Sequence, residues 1–324
     1  MLKTFVIILS LLFWEVNSAQ NLIMNPSFEE YNICPTNTAN VKDCKYVFDP
    51  QCINEPIPCY SSSDYFNTCA PSGSNMVVPS TYAGYQHPKS GNGYIGSGFI
   101  DTLGYREYFQ VKLSQSLEAN RKYNFSFFVN LSNLSHLTTY AIGVNFVTDS
   151  VYYFNQYLWE FMEADWVNDE NNYITDTIGW TKLDGSYQAK GNEKWMIVGV
   201  FYPEKIIPTV VVNPNASQAW QHFGYFFYDD FFIEAAPISI PNVFTPNGDG
   251  INDFWIVNGR VKKVTIYNRW GHMVFISDGS FQGWNGNNKS NQPCSEGVYY
   301  YNVIEENPIT NEQKTHKGFI TLLR

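Results

Sequence analysis

Val243 to Trp255 reads VFTPNGDGINDFW. It gathers Asn247, Asp249, Asn252 and Asp253 into seven residues around two glycines. Carboxylates and side-chain amides this close together offer hard oxygen donors, which suit a cation of the calcium type. The spacing is half that of an EF-hand loop. With Asn247 at ligand position 3, however, position 12 falls on Ile256, where that loop needs a bidentate glutamate. An EF-hand is excluded. Two readings stay open: a weak site at Asn247, Asp249 and Asp253, and a turn capped by its own Asp and Asn side chains. Either reading lets Gly248 or Gly250 take a positive φ.

Other side chains could carry chemistry. Asp229 and Asp230 interrupt a run of aromatic residues from Phe226 to Phe232. A bare carboxylate among aromatics is costly unless it is compensated, so one or both face inward beside a partner, or both lie at a solvated edge. Glu160, Glu163 and Asp165 lie in YLWEFMEADW, Tyr157 to Trp166, which reads as a short helix. Paired acids there could serve a glycoside hydrolase, or be a solvated surface. Tyr82, Tyr85, His87, Tyr105 and Arg106 combine ring faces with polar groups, as a sugar platform requires. In so aromatic a chain, each reads equally as core. There is no HExxH, GxSxG or HxH, and the five histidines are scattered. The reading is a protein that is not an enzyme, with a secreted hydrolase as the alternative.

The elements that must position these residues are strands. Aromatics make up 17% of the chain and charged residues only 15%, a composition that favours sheet. Strand-like runs are GYIGSGFI, EYFQVKL, KYNFSFFVNL, YAIGVNFV, WTKLDGSYQA, KWMIVGVFY and FGYFFYDDFFIEA. In KYNFSFFVNL, two-residue alternation puts Tyr123, Phe125, Phe127 and Val129 on one face. Turn signals are read at Glu118-Ala119-Asn120, Asp184-Gly185 and Gly191-Asn192. The start, NLIMNPSFEE, reads as a strand, a turn at Asn25-Pro26 and a second strand from Phe28. The predicted fold is all-β: an N-terminal jelly-roll β-sandwich over 20–236, then a small Ig-like seven-stranded β-sandwich over 237–324. The boundary is placed near Ala236, where prolines and a composition change occur.

The formal net charge is −10. From Pro237 onward eight Lys/Arg face seven Asp/Glu, so the acidity belongs to the first part. Nucleic acid is excluded as a partner, since it needs a basic footprint. Residues 1–19, with one lysine before the apolar run Phe5 to Trp14, read as a secretory signal peptide cut near Ala19. Export fits the six cysteines. Two disulfides are expected among Cys34, Cys44, Cys52, Cys59 and Cys69, with one thiol left free or paired to Cys294; a zinc site is the weaker alternative.

The tail carries a family resemblance. IPNVFTPNGDGINDFW, VTIYNRWGHMVF, WNG, Gly297 to Tyr301 and the final KGFITLLR occur in order. Together they closely resemble the gliding motility-associated C-terminal domain. This is the type B sorting domain of type IX secretion cargo in gliding Gram-negative bacteria. The resemblance covers 237–324 and departs from the family at Cys294. It implies passage through the periplasm, recognition by the outer-membrane translocon and its sortase, and a secreted or cell-surface product. More loosely, NLIMNPSFEE, DYFNTCAP, GYQHPKSGNGYIG, YREYFQVKL and FFYDDFFIEA resemble a galactose-binding-like jelly roll. That resemblance implies a glycan or surface-polysaccharide partner. It also implies a structural calcium at Glu29 with Asp229 or Asp230, brought together by pairing of the first and last strands. A structural or adhesive surface component without a small ligand is the further alternative.

Overall fold

The computed structural model describes residues 20–50, 62–150, 162–279, 281–306 and 313–324. The signal-peptide segment, Cys52, Cys59 and Glu160 lie outside them. The protein is all-β, with short 3-10 turns at Val41–Asp43 and Gln218–Trp220.

Two sheets form the first part. One runs Val47–Phe48, Tyr108–Lys112, Trp195–Val200, Ile142–Val147, Trp166–Val167. The other runs Thr181–Gln188, Lys122–Leu131, Phe223–Ala235, Gly93–Ile100, Asp64–Asn67, with Tyr105–Arg106 on the same edge as the last. Their facing sides share one core. Tyr123, Phe125, Phe127 and Val129 all enter it, as two-residue alternation requires. Burial on this scale contributes roughly 1.5–3 kcal/mol per large side chain.

The start of the domain lies along the strand Phe223–Ala235. Leu22 N donates to the Ile233 carbonyl, and Phe231 N to that of Pro26. Phe28 does not begin a strand; it sits in a turn with φ +59° and buries its ring in the core. Asp184-Gly185 is not a turn either. Both lie inside Thr181–Gln188, opposite Ser126 and Phe125. Gly185 is tolerated there because the Trp166 indole occupies the space its Cβ would take. The described part of the expected helix, residues 162–166, is not helical; Trp166 instead pairs with Val144. Cys34 and Cys69 form a disulfide, whereas Cys44 and Cys294 are buried thiols.

The last part is a five-stranded sheet: Val243–Phe244, Gln313–Leu322, Gly297–Glu306, Val261–Tyr267, Met273–Asp278. Segments around Trp255 and Trp284 pair by a single bridge. Both indoles are fully buried against the sheet, Trp255 on Tyr301 and Trp284 on Tyr299. The two parts touch where Glu118 accepts from both Arg121 and Arg260, at 3.1 and 3.2 Å.

Candidate functional site

The outer face of the six-stranded sheet carries a second aromatic cluster. Phe66, Tyr94, Tyr225 and Phe227 form its buried floor. Tyr82, Trp180, Trp220 and Phe223 pack on them half-buried. The hairpin Ser80–Thr81/Gly84–Tyr85 lays Tyr82 onto Phe66 and leaves Tyr85 55% exposed, with its hydroxyl 3.1 Å from His87 Nε2. Trp180 stands edge-on to Tyr94 and donates its indole N–H to the His87 carbonyl at 3.1 Å. Three of the five candidate ligand residues, Tyr82, Tyr85 and His87, are thus brought to one face.

Tyr105 and Arg106 are placed differently. The Tyr105 hydroxyl donates to Glu107 at 2.7 Å, below that face. Arg106 is buried, and its guanidinium donates to the carbonyls of Tyr202 and Glu204. These bonds tie it to the loop at Tyr202 to Glu204. Its neighbours alternate across a strand, so adjacent residues such as these cannot serve the same face.

Beneath Tyr82 lies an acid pair that spacing did not reveal. Asp64 accepts from the hydroxyls of Tyr82 and Tyr225 and from Ala39 N. Glu107 accepts from Ser62, Tyr105 and Gly98 N, the last at 2.6 Å. Glu107 sits where the sheet edge passes from Asp64–Asn67 to Tyr105–Arg106, and it fills that break. Burial pushes Asp64 up to about 6 and Glu107 up to about 7, the latter also through the Asp64 charge. The Tyr82 and Tyr225 phenols rise for the same reason, desolvation first and the Asp64 charge second. Forty-three residues separate the two acids in the chain; only sheet pairing unites them.

The carboxylates expected to hold calcium converge on the loop 87–93. Glu29 accepts from Asn92 N, Asn92 Nδ2 and Gly93 N, at 2.6, 2.8 and 3.2 Å. Asp229, fully buried, accepts from Lys89 N and Ser90 N at 2.8 and 3.2 Å. Asp230, at a bulge with φ +50°, accepts from Ser90 Oγ at 2.5 Å. Desolvation pushes the Asp229 carboxyl up to about 8. The donor set is all oxygen, as calcium prefers; both Glu29 oxygens, Asp229 Oδ2 and Asp230 Oδ1 meet amides or a hydroxyl of the loop, while Asp229 Oδ1 accepts from Asp230 N. Among the described residues no three His, Cys, Asp or Glu side chains stand together as a metal site. Gly91 suits this turn: its φ of +62° is in the left-handed region that favours glycine, and a Cβ would press on the Glu29 carboxylate.

The loop after Val243–Phe244 closes on itself. Asp253 accepts from Gly248 N and Gly250 N, at 2.7 and 2.8 Å. Asp249 accepts from Ile251 N at 2.7 Å and Asn247 Nδ2 at 2.9 Å. Both glycines have positive φ, +82° and +86°. These bonds are those of a turn capped by its own side chains. Of the other acids of the hydrolase alternative, Asp165 accepts from Phe146 N and pairs with Lys190 at 2.9 Å, while Glu163 is exposed and bonds Asn145 through its backbone carbonyl.

Residues 238–322 match the CHU_C Type IX secretion signal domain. This matches the tail resemblance and marks the chain for export. None of the curated proteins matches the chain. Solved structures similar in fold include the CBM22-1 xylan-binding domain from Paenibacillus barcinonensis, at 14% identity over 65% of this chain and 91% of that one, TM-score 0.33. The adhesin domain of Epf from Streptococcus pyogenes aligns at 9% identity over 94% and 97%, TM-score 0.33. A cleaved adhesin domain of Lys-gingipain from Porphyromonas gingivalis aligns at 14% identity over 60% and 92%, TM-score 0.29. Likeness this distant gives no weight to any ligand. Among the described residues no helix is long and apolar enough to cross a membrane.

Proposed function

We propose that this is a secreted or cell-surface protein, addressed by residues 238–322 to type IX secretion, whose first domain binds a surface glycan without turning it over. The match of the C-terminal sheet to a secretion signal carries the first half of this reading. The second half is supported by the outer sheet face, where exposed Tyr85 and His87 adjoin half-buried Tyr82 and Trp180. Rings with one open face stack on sugars, and nearby polar groups meet the hydroxyls. A glycan array with the full chain is expected to show binding that Tyr85→Ala and Trp180→Ala weaken together. Turnover in a hydrolysis screen would favour the hydrolase reading. Neither binding nor turnover would favour a structural or adhesive component.

Structural calcium at Glu29, Asp229 and Asp230 belongs to the same proposal. The ion would offset the buried Asp229 charge by taking carboxylate oxygens from the loop amides. Its signature is a melting temperature raised by ~1 mM calcium, the working range of extracellular modules, and lowered by chelator. Glu29→Gln would abolish the difference. A melt indifferent to calcium removes the ion and leaves the hydrogen-bonded loop. The turn at Asn247, Asp249 and Asp253 is tested by the same titration on an Asp253→Asn chain.

A further inference from the structure

The C-terminal sheet covers its core with one face and leaves the other bare. Cross-strand register sets Met273, Tyr267, Tyr300 and Phe319 side by side across four strands. They alternate with the core residues Ile266, Tyr299 and Ile320, so they point outward. Tyr300 and Phe319 are 51% and 52% exposed. Val298 and Ile276 extend the apolar surface on either side of the row.

The row ends at a hairpin turn, Asn268–His272, that presents Trp270 at 69% exposure. The turn does not need the indole. Asn268 closes it alone: its amide and carbonyl bond His272 and Gly271, and its side-chain oxygen accepts from Trp270 N and His272 N. Trp270 instead carries the Arg269 guanidinium, 4.7 Å above its ring. Aromatic side chains contiguous at the surface, and unused by the fold, mark an interaction surface.

Charge narrows the occupant. The row and its hairpin contain no acidic side chain. Arg269 at the tip and Lys317 in the next row make no salt bridge among the described residues, whereas Lys263 further along is paired with Asp278. An apolar face edged by unpaired cations complements an apolar surface rimmed by carboxylates. The face also belongs wholly to the segment matched as a secretion signal. A folded signal can be read only by what it shows outside.

We propose that Trp270, Tyr300 and Phe319, flanked by Arg269 and Lys317, form the surface by which a receptor of the type IX machinery grips this chain. The receptor surface is apolar, with an acidic rim. This rests on the export reading, and the test separates the two.

The full chain is expressed in a bacterium with a working type IX system and followed in periplasm, surface and medium. Three altered chains run beside it: one lacking 237–324, one with Trp270→Ser, Tyr300→Ser and Phe319→Ser, and one with Arg269→Glu and Lys317→Glu. Loss of anchor aromatics is expected to cut export about tenfold or more, with the chain held in the periplasm and its melt unchanged. Charge reversal acts in the same direction. Wild-type export of a folded triple variant, while the deletion blocks export, overturns the docking face and leaves the export reading standing. Wild-type export of the deletion overturns the export reading itself. If the triple variant does not fold, the charge reversal decides alone, and wild-type export of it overturns the proposal. Concentration-dependent dimerisation of the purified chain that the triple variant abolishes assigns the face to a second copy, and equally overturns it.

Discussion

At the scale of the residue, the most consequential groups are the buried acids Asp64 and Glu107. Both are satisfied by hydroxyl and amide donors, and both are pushed above their ordinary range by desolvation. A raised folded-state value favours the protonated form. Its contribution to stability is complete below about pH 4, the unfolded range, and is lost as pH rises through about 6 and then about 7. The folded protein is therefore expected to melt higher at mildly acidic than at alkaline pH. Asp64→Asn removes one of the two charges and should flatten that slope by roughly 1–3 kcal/mol. Thermal melts of both chains across this range check it; parallel curves would show that the pair does not titrate on unfolding. Asp229 acts in the same direction and is unchanged in both chains, so the difference isolates the pair.

At the scale of the element, the loop 87–93 shows how distant carboxylates stand in for a ladder. Glu29, from the start of the chain, and Asp229, from the long last strand, accept its backbone N–H groups. Hydrogen bonds to charged groups are the stronger kind, so these contacts tie the loop to both acids. Gly91→Ala forces a side chain into positive φ and into the Glu29 carboxylate. It is expected to cost about 2 kcal/mol in denaturant melts and to reduce binding at Tyr85 and His87, which lie on the neighbouring hairpin and loop. Unaltered stability would mean that Glu29 is not needed to hold the loop. In the C-terminal sheet, Trp284 fills the core between Phe244 and Tyr299. Trp284→Ala should cost about 3–5 kcal/mol. Calorimetry of the full chain checks this as a lowered or lost transition for that sheet, and retention of the wild-type transition would contradict it.

At the scale of the whole molecule, two sheet systems follow one another and meet at Glu118, Arg121 and Arg260. A shallow cleft of about 360 Å³ lies there, lined from both sides by residues such as Asn120 and Phe281. Partly exposed ion pairs of this kind contribute ~1 kcal/mol or less, so Arg260→Ala should leave both melting transitions nearly in place. The sequence alone determined that the chain is all-β, that Tyr123, Phe125, Phe127 and Val129 share one face of their strand, and that the tail carries a secretion address. Alternation, aromatic content and an ordered set of motifs are local properties, readable without a third dimension. Local signals failed where tertiary contacts prevailed: Asp184-Gly185 is strand, paired with Ser126 and Phe125 in a ladder that runs on either side of it, and Trp166 stands over the bare Gly185. Only the tertiary structure decided that Arg106 is spent on loop carbonyls, that Asp64 and Glu107 are buried close enough for the charge of one to raise the other, and that Trp270, Tyr300 and Phe319 lie on one open face. Each of these depends on which strands are neighbours and in what register, and hydrogen bonds between distant segments set that register.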